Sequence, residues 1–580
     1  MSTQAVAEAG PKVRDAESGP AKGLHPAALA ISSGVLLWCA FPTVGWGWLA
    51  WVALAPFFAL IASQRPARTL YLAAWLGGMV FWLLAIEWVR LTDPSAWLAW
   101  VVMATALSFW WPGFLALARL AVLRLRVPIM VAAPVLWIAL EYLRAHILSG
   151  FPWYYLAHSQ HSVLCLIQIA DVAGALGLSF LIALANAGWA DLRRLRPCLR
   201  MTPHGLRPTR AAVARVVLVA ALVAANVGYG VFRISTARFR PGPTLALIQS
   251  NLIQRYKMSA DPAELIDVYR RLIERAAPRG AMLVDPGALK PDLIVWPETS
   301  YPYPFVRRDP KVDDDAFARL VLSFDAKHPA AFWADWMKTI SSHLHTWTDE
   351  LKTPMLVGVV TYDFQPDRFA KFNAALLFEP GVAGVQAYYK IQLVPFGEYV
   401  PLIETFPWLT ALTPYHGGQA PSLAFGPKPG WFALGPYRFS TAICFEDTVP
   451  HVVRRSFREA PDGRHPDVLI NMSNDGWFHG SSELDMHLAV SVFRAVENRV
   501  PLARAVNTGI SALIDGNGAV RRALPKLTEE VLVDRVWLDD RQSLYTRWGD
   551  WLGLSCLGLT LALGPWGLIQ AVRTRLRFAA

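Results

Sequence analysis

The 580-residue chain is 54% hydrophobic, carries 25 tryptophans and has a mean hydropathy of +0.31, a balance that excludes an ordinary soluble protein and indicates an integral membrane one. The formal net charge of +11 does not indicate nucleic acid, because much of the arginine sits in short loops beside apolar runs, where membrane topology accounts for it. The apolar excess is confined to 25–235 and 547–572, and residues 240–545 between them read as one globular domain with its own core.

Residues 1–24 are small, polar and punctuated by Pro and Gly, which predicts a disordered cytoplasmic tail without the apolar stretch and cleavage site of a signal peptide. Seven apolar spans follow, at 26–41, 46–63, 69–90, 97–122, 128–147, 163–190 and 211–233, and an eighth at 548–571. Several have the ~20 residues needed to cross ~30 Å of hydrocarbon. Alternate loops are rich in arginine: Arg65 and Arg68, then Arg119, Arg124 and Arg126, then Arg193, Arg194, Arg196, Arg200, Arg207 and Arg210, and finally Arg573, Arg575 and Arg577 in the tail at 573–580. By the positive-inside rule these loops and both termini are cytoplasmic, which puts the globular domain on the outer face between spans seven and eight. Glu87, Glu141 and Arg144 lie near span ends and read first as snorkelling interfacial charges, second as the lining of a substrate cavity. The loop GFPWYYLAHSQHS at 150–162 suits an aromatic belt; His158 and His161 lack metal-ligand company there.

Within 240–545, short β-branched or apolar runs predict strands at 244–249, 293–296, 355–360, 374–378, 439–443, 467–471, 502–507 and 511–514. Helical spacing of apolar residues predicts helices at 262–276 and 486–498, so the domain is α/β. Residues 307–352 read as a helical insertion, a surface cap or, less readily, a mobile lid.

Three polar residues stand just after strand-like runs, where an α/β sheet presents chemistry to a crevice. Glu298, in LIVWPETSYP, is a general-base candidate whose pKa partial desolvation would raise. Lys390, in YYKIQLVPFGEYVP, can stabilise an oxyanion and lower a nearby thiol's pKa, with Glu398 placed to orient it. Cys444, in FSTAICFEDTVP, is the lone cysteine of the globular domain, since Cys39, Cys165 and Cys556 lie in apolar spans and Cys198 in an arginine-rich loop. No disulfide within the domain is therefore available. The strand FSTAI delivers Cys444 to a turn, which exposes the sulfur and leaves a following backbone N–H for an oxyanion.

The motifs WPE, K-x-x-LVPFGE, ICFE and NMSNDGWF, with ALIQSN at 246–251, GFPW in the aromatic loop and HLAVSVFRAVENRVPLARAVNTGISALIDGNG at 487–518, together resemble the nitrilase superfamily. With these flanking spans the chain looks like its membrane branch, the apolipoprotein N-acyltransferases. The resemblance implies an eight-helix transmembrane bundle carrying an extracytoplasmic α-β-β-α sandwich, in a bacterial inner membrane. It further implies Glu298 as general base, Lys390 as oxyanion stabiliser and Cys444 as nucleophile, supported by Glu398, Glu446, Phe445, Asn474 and Trp477. A phospholipid acyl donor and a diacylated apolipoprotein acceptor follow from it, with no cofactor, no metal and no nucleic acid, the chain acting as a monomer. Gln392, Phe445 and Gly476 depart from the His, Tyr and Ala common in the family. A membrane-tethered C–N hydrolase would use the same triad, and a catalytically dead lipid-binding scaffold would not need it.

Overall fold

The computed structural model describes residues 24–579 apart from 43, 95, 195–198, 203–204, 278–288, 404, 413–422 and 461–462. Nearly all of the expected tail at 1–24 falls outside the described residues, as does Cys198.

Four described helices are long and apolar enough to cross a membrane: Ala67–Ala85, Ala96–Arg124, Ala175–Leu192 and Arg210–Ser235. Shorter apolar helices cover Pro26–Cys39, Gly47–Ala62, Leu164–Ala173 and Trp551–Gly567, and a further helix spans Ile129–Arg144. The single span expected at 163–190 is thus interrupted. Its first part makes two short turns, Leu164–Ile167 and Ala170–Ala173, and Gly174 at φ 64° breaks the ladder before the long helix starts. Small residues let helices approach closely: a Cβ on Gly34 would lie 2.5 Å from the Gly77 carbonyl oxygen, and one on Gly77 2.6 Å from that of Ala30.

Glu141 and Arg144 do not snorkel. Both are buried, Arg144 donating to the carbonyls of Phe151 (2.7 Å) and Trp153 (2.6 Å), and Glu141 accepting from Trp137 Nε1 (3.0 Å) and the Leu156 N–H (3.1 Å). Their bonds to the aromatic loop outweigh the gain of reaching water, because loop backbone left bare in an apolar setting is costly.

The domain is a sandwich of two sheets. Strands are β1 Phe239–Gln249, β2 Leu293–Val295, β3 Phe305–Arg308, β4 Met355–Phe364, β5 Phe369–Phe378, β6 Gln386–Tyr389, β7 Gly430–Leu434, β8 Tyr437–Ile443, β9 Val468–Asn474, β10 Leu502–Asn507, β11 Ala512–Ile514, β12 Val520–Ala523 and β13 Glu530–Asp539. One sheet runs β13-β1-β2-β4-β5-β6 with β3 beside β4, and the other β12-β11-β10-β9-β8-β7. All eight expected strands are present. Alternation explains the layering: Leu245 and Leu247 of β1 face Phe439, Ile443, Ile470 and Met472 across the inner core. Ala246 and Ile248 turn outward to Leu265, Tyr269 and Leu272 of helix Pro262–Ala276.

Residues 307–352 are largely helical, as Asp314–Phe324 and Ala330–Leu351. The second helix is no surface cap. It buries Ile340, Leu344 and Trp347 in the same outer layer, with the Trp347 and Trp296 rings stacked at 5.9 Å. The opposite outer layer, helices Pro450–Arg458 and Ser482–Asn498, shares one continuous core with the membrane helices through Val452, Val453, Phe457, Phe493 and Val496.

Candidate active site

Glu298, Cys444 and Asn474 follow or end strands that have a parallel neighbour, whereas Lys390 follows β6, which pairs antiparallel with β5. β2 lies between β1 and β4, and β9 between β8 and β10, each pair parallel. Carboxyl ends of parallel strands therefore open on one crevice.

Cys444 opens a tight turn, Cys444–Thr448, directly after β8, with φ 51°. A non-glycine residue in this region is strained by crowding at Cβ, and persists only where its surroundings hold it. Glu446 is the main restraint. Its Oε2 accepts from the Ile443 N–H (2.6 Å) and Tyr388 hydroxyl (2.7 Å), and its Oε1 from the N–H groups of Ile391 (2.6 Å) and Gln392 (3.0 Å). One buried carboxylate thus fastens the Cys444 turn to the segment after Lys390. Burial pushes its carboxyl up to about 7, against the pull of the donors and of Lys390.

Lys390 is fully enclosed, its Nζ 3.1 Å from Glu298 Oε1 and 2.9 Å from Glu398 Oε2. Burial alone would strip its proton, but the two carboxylates hold its pKa well above the ordinary lysine value. Asn373 on β5 donates through Nδ2 to both Glu298 Oε1 (2.7 Å) and Glu398 Oε1 (2.9 Å). The second Glu298 oxygen accepts from the Asn474 N–H at 3.0 Å, and the Val394 N–H reaches Glu398 Oε2 at 2.8 Å. The cluster is preorganised from both sheets, with its hydrogen bonds in place before any substrate arrives.

Cys444 is half-buried, and Glu298 and Lys390 act on its sulfur electrostatically. Burial of the sulfur and the Glu298 charge push the thiol well above its usual range, and Lys390 only partly opposes them. Lys390 lowers the thiol's pKa as expected, but burial and Glu298 outweigh it. The resting group is a thiol, and its attack on a carbonyl requires a base beside it.

Among the other expected residues, Phe445 is buried in the core shared with the membrane helices, and Trp477 is half-buried in the turn Asp475–Phe478. Asn474 also accepts from Asn507 Nδ2 (2.8 Å) and donates to Gln254 Oε1 (2.7 Å). Two departures from the family pattern have local reasons. Gln392 donates to the Ser149 carbonyl oxygen at 2.9 Å, tying the Lys390 segment to the membrane loop. A Cβ at Gly476 would sit 3.0 Å from Asn474 Oδ1 and 3.2 Å from Asn507 Nδ2, so glycine relieves crowding there.

Sequence reasoning missed Asn373, whose only signal was an amide inside the apolar strand FNAALLF. It also missed Ser473, Asp475, His487 and Arg504, a buried polar set joined through Asp475.

Residues 33–188 match the family described as the apolipoprotein N-acyltransferase N-terminal domain, and residues 244–545 match carbon-nitrogen hydrolase. The apolipoprotein N-acyltransferase of Geobacter metallireducens is 33% identical over 540 residues, covering 91% of this chain and 92% of that one. That of Chlorobaculum tepidum is 28% identical, covering 95% and 97%.

Proposed function

The chain belongs to the apolipoprotein N-acyltransferase family, and from that premise we propose that it moves a fatty acyl chain from a phospholipid to the N-terminal amine of a diacylated apolipoprotein through a thioester on Cys444. The carrying observation is the strained Cys444 turn set beside a buried ammonium that two carboxylates hold in place.

Glu298 takes the thiol proton as sulfur attacks the phospholipid ester carbonyl. Lys390 and backbone N–H groups of the first turn after Cys444, which have no partner inside that turn, stabilise the oxyanion. Lysophospholipid departs as an alcohol, reprotonated from Glu298, and the acyl group stays on sulfur. The acceptor amine then attacks the thioester, gives its proton to Glu298 and leaves as an amide, returning the thiol. Glu398 and Asn373 keep Lys390 and Glu298 aligned, and Glu446 keeps the turn in place. One chain supplies every group, in keeping with a monomer.

For the membrane part we propose eight crossings: the four long helices together with Pro26–Cys39, Gly47–Ala62, Ile129–Arg144 and Trp551–Gly567. The arginine loops then put both termini in the cytoplasm and the sandwich on the outer face of a bacterial inner membrane.

Mass spectrometry of a synthetic diacylated lipopeptide incubated with phospholipid and protein tests the reading. Triacylated product and an acyl adduct on the Cys444 peptide are expected from the wild type, and neither from Cys444→Ala. Absence of both from folded wild-type preparations overturns it.

A further inference from the structure

The acyl-transfer scheme leaves one cation beside Glu298 unused. Lys257 lies on the short helix Gln254–Ser259, which follows β1, and its side chain is half-buried. Its Nζ donates to the Glu298 backbone carbonyl oxygen and to Thr299 Oγ1, each at 3.3 Å. Thr299 sits at φ 44°, so the ammonium rests on the strained turn that carries the general base. Three positions earlier, Gln254 Oε1 accepts from Asn474 Nδ2 at 2.7 Å, and the Asn474 N–H is the one that reaches Glu298 Oε2. The helix is thereby fastened beside the reacting carboxylate from two directions.

The two lysines of the site are held differently. Lys390 is fully enclosed and ion-paired with both Glu298 and Glu398. Among the described residues, the hydrogen-bond partners of Lys257 are a carbonyl and a hydroxyl, both neutral and both at the long end of the range. Burial takes its pKa down to about 8, and the Glu298 charge opposes only part of that. An ammonium has three N–H donors, so one remains for an incoming acceptor.

The setting suits a lipid–water boundary. Ile253, Tyr256 and Met258, which flank Lys257, are 53%, 45% and 63% exposed. The turn Asp475–Phe478, directly after Asn474, meets the segment at the end of helix Ala67–Ala85 through the Phe478 and Trp88 rings, 5.1 Å apart. A cation among exposed apolar side chains at this level fits a lipid headgroup.

We infer that Lys257 anchors the phosphodiester of the phospholipid donor, seating its ester at Cys444 and telling donor from acceptor. This rests on the acyltransferase reading proposed above. Both lipid substrates carry acyl esters on glycerol, and only the donor carries a phosphate next to them. Glu298 and Glu398 share the single ammonium of Lys390, so a phosphate arriving without a second cation would be repelled. The contact is ionic, moves no proton and ends when the lysophospholipid leaves.

A dialkyl phosphatidylglycerol, whose ether links cannot be cleaved, tests the contact without turnover. It is added at rising mole fraction to full-length protein in detergent micelles, with dialkylglycerol as the phosphate-free control. Occupancy is read as protection of the Cys444 peptide from iodoacetamide, timed by mass spectrometry, each variant being compared with its own lipid-free rate. Wild type should be half-protected at a lower mole fraction of the phospholipid than of the dialkylglycerol. Lys257→Gln should raise the phospholipid value about tenfold, as for a lost hydrogen bond to a charged group, and leave the dialkylglycerol value in place. Lys257→Arg should restore most of the preference. An unchanged phospholipid value in Lys257→Gln, or an equal rise for both lipids, overturns the inference. Should Lys257→Gln not fold, the wild type decides, and equal protection by the two lipids overturns it. Phosphate-dependent protection in a wild type that forms no acyl adduct from a diester phospholipid would sink the acyltransferase reading and leave the Lys257 contact standing.

Discussion

Lys390 illustrates how a single buried charge is made affordable. Two carboxylates and Asn373 surround it, so Lys390→Met removes the cation and leaves Glu298 and Glu398 facing each other. A ~10²–10³-fold fall in kcat is expected, as for loss of an oxyanion-stabilising group, measured by lipopeptide acylation. His487 gives a pH prediction. Burial and Arg504 pull its pKa down, but Asp447 and Asp475 win and lift it to about 10. Because the folded value lies above the unfolded one of ~6.5, the stabilisation is fully present below that pH and is lost as pH climbs toward 10. Tm should fall across that window in wild type and fall less steeply in His487→Gln. Glu298, Lys390 and Cys444 were legible because each stands directly after an apolar strand run. Asn373 was not, because its role depends on register: β5 pairs with β4, and the Asn373 carbonyl accepts from the Lys390 N–H at 2.9 Å. His487 and Arg504 are brought to Asp447 from 40 and 57 positions away, a distance no local motif spans.

At the scale of elements, the two halves of the site are set by different strand ends. The Glu298 turn rests on β4 with almost no clearance: a Cβ on Gly358 would come within 2.1 Å of the Pro297 carbonyl oxygen and 2.9 Å of Glu298 Cα. Gly358→Ala must therefore push the Glu298 loop away. Such overpacking costs ~1–3 kcal/mol. A lower Tm with a larger proportional loss of acylation is expected, and wild-type activity would show that the loop has slack. Strand positions were readable because their apolar runs are short and bounded by turn residues. The helix Ala330–Leu351 was readable as a helix but not as a sandwich layer. Its sequence mixes Phe, Trp, His and Asp, and only its contact with Trp296 reveals which face is inward.

For the whole molecule, the seat of the domain on the membrane helices is a buried ionic joint. Arg499 donates to Asp171 Oδ2 (2.6 and 2.9 Å) and to Gln168 Oε1 (2.7 Å), and Arg233 also meets Asp171 at 2.8 Å. Asp171→Asn breaks a paired charge from one side, which costs ~3–5 kcal/mol when no partner replaces it. A marked fall in Tm, with faster proteolysis between residues 235 and 260, is the expected result. The apolar runs made the helices legible, whereas the break at Gly174 and the joint itself arise only once 168–175 meets 497–517. The continuous core beneath Phe445 carries a consequence for biogenesis. Val452, Val453, Phe457, Phe493 and Val496 share that core with helices that precede the sandwich in the chain and with Cys556 of the helix that follows it. The helices made before the sandwich can serve as a template on which the emerging sheet layers settle. A sandwich severed from them would keep its triad residues but expose an apolar floor, and its fate in water would be self-association. Catalysis and membrane insertion are in this sense a single folding problem.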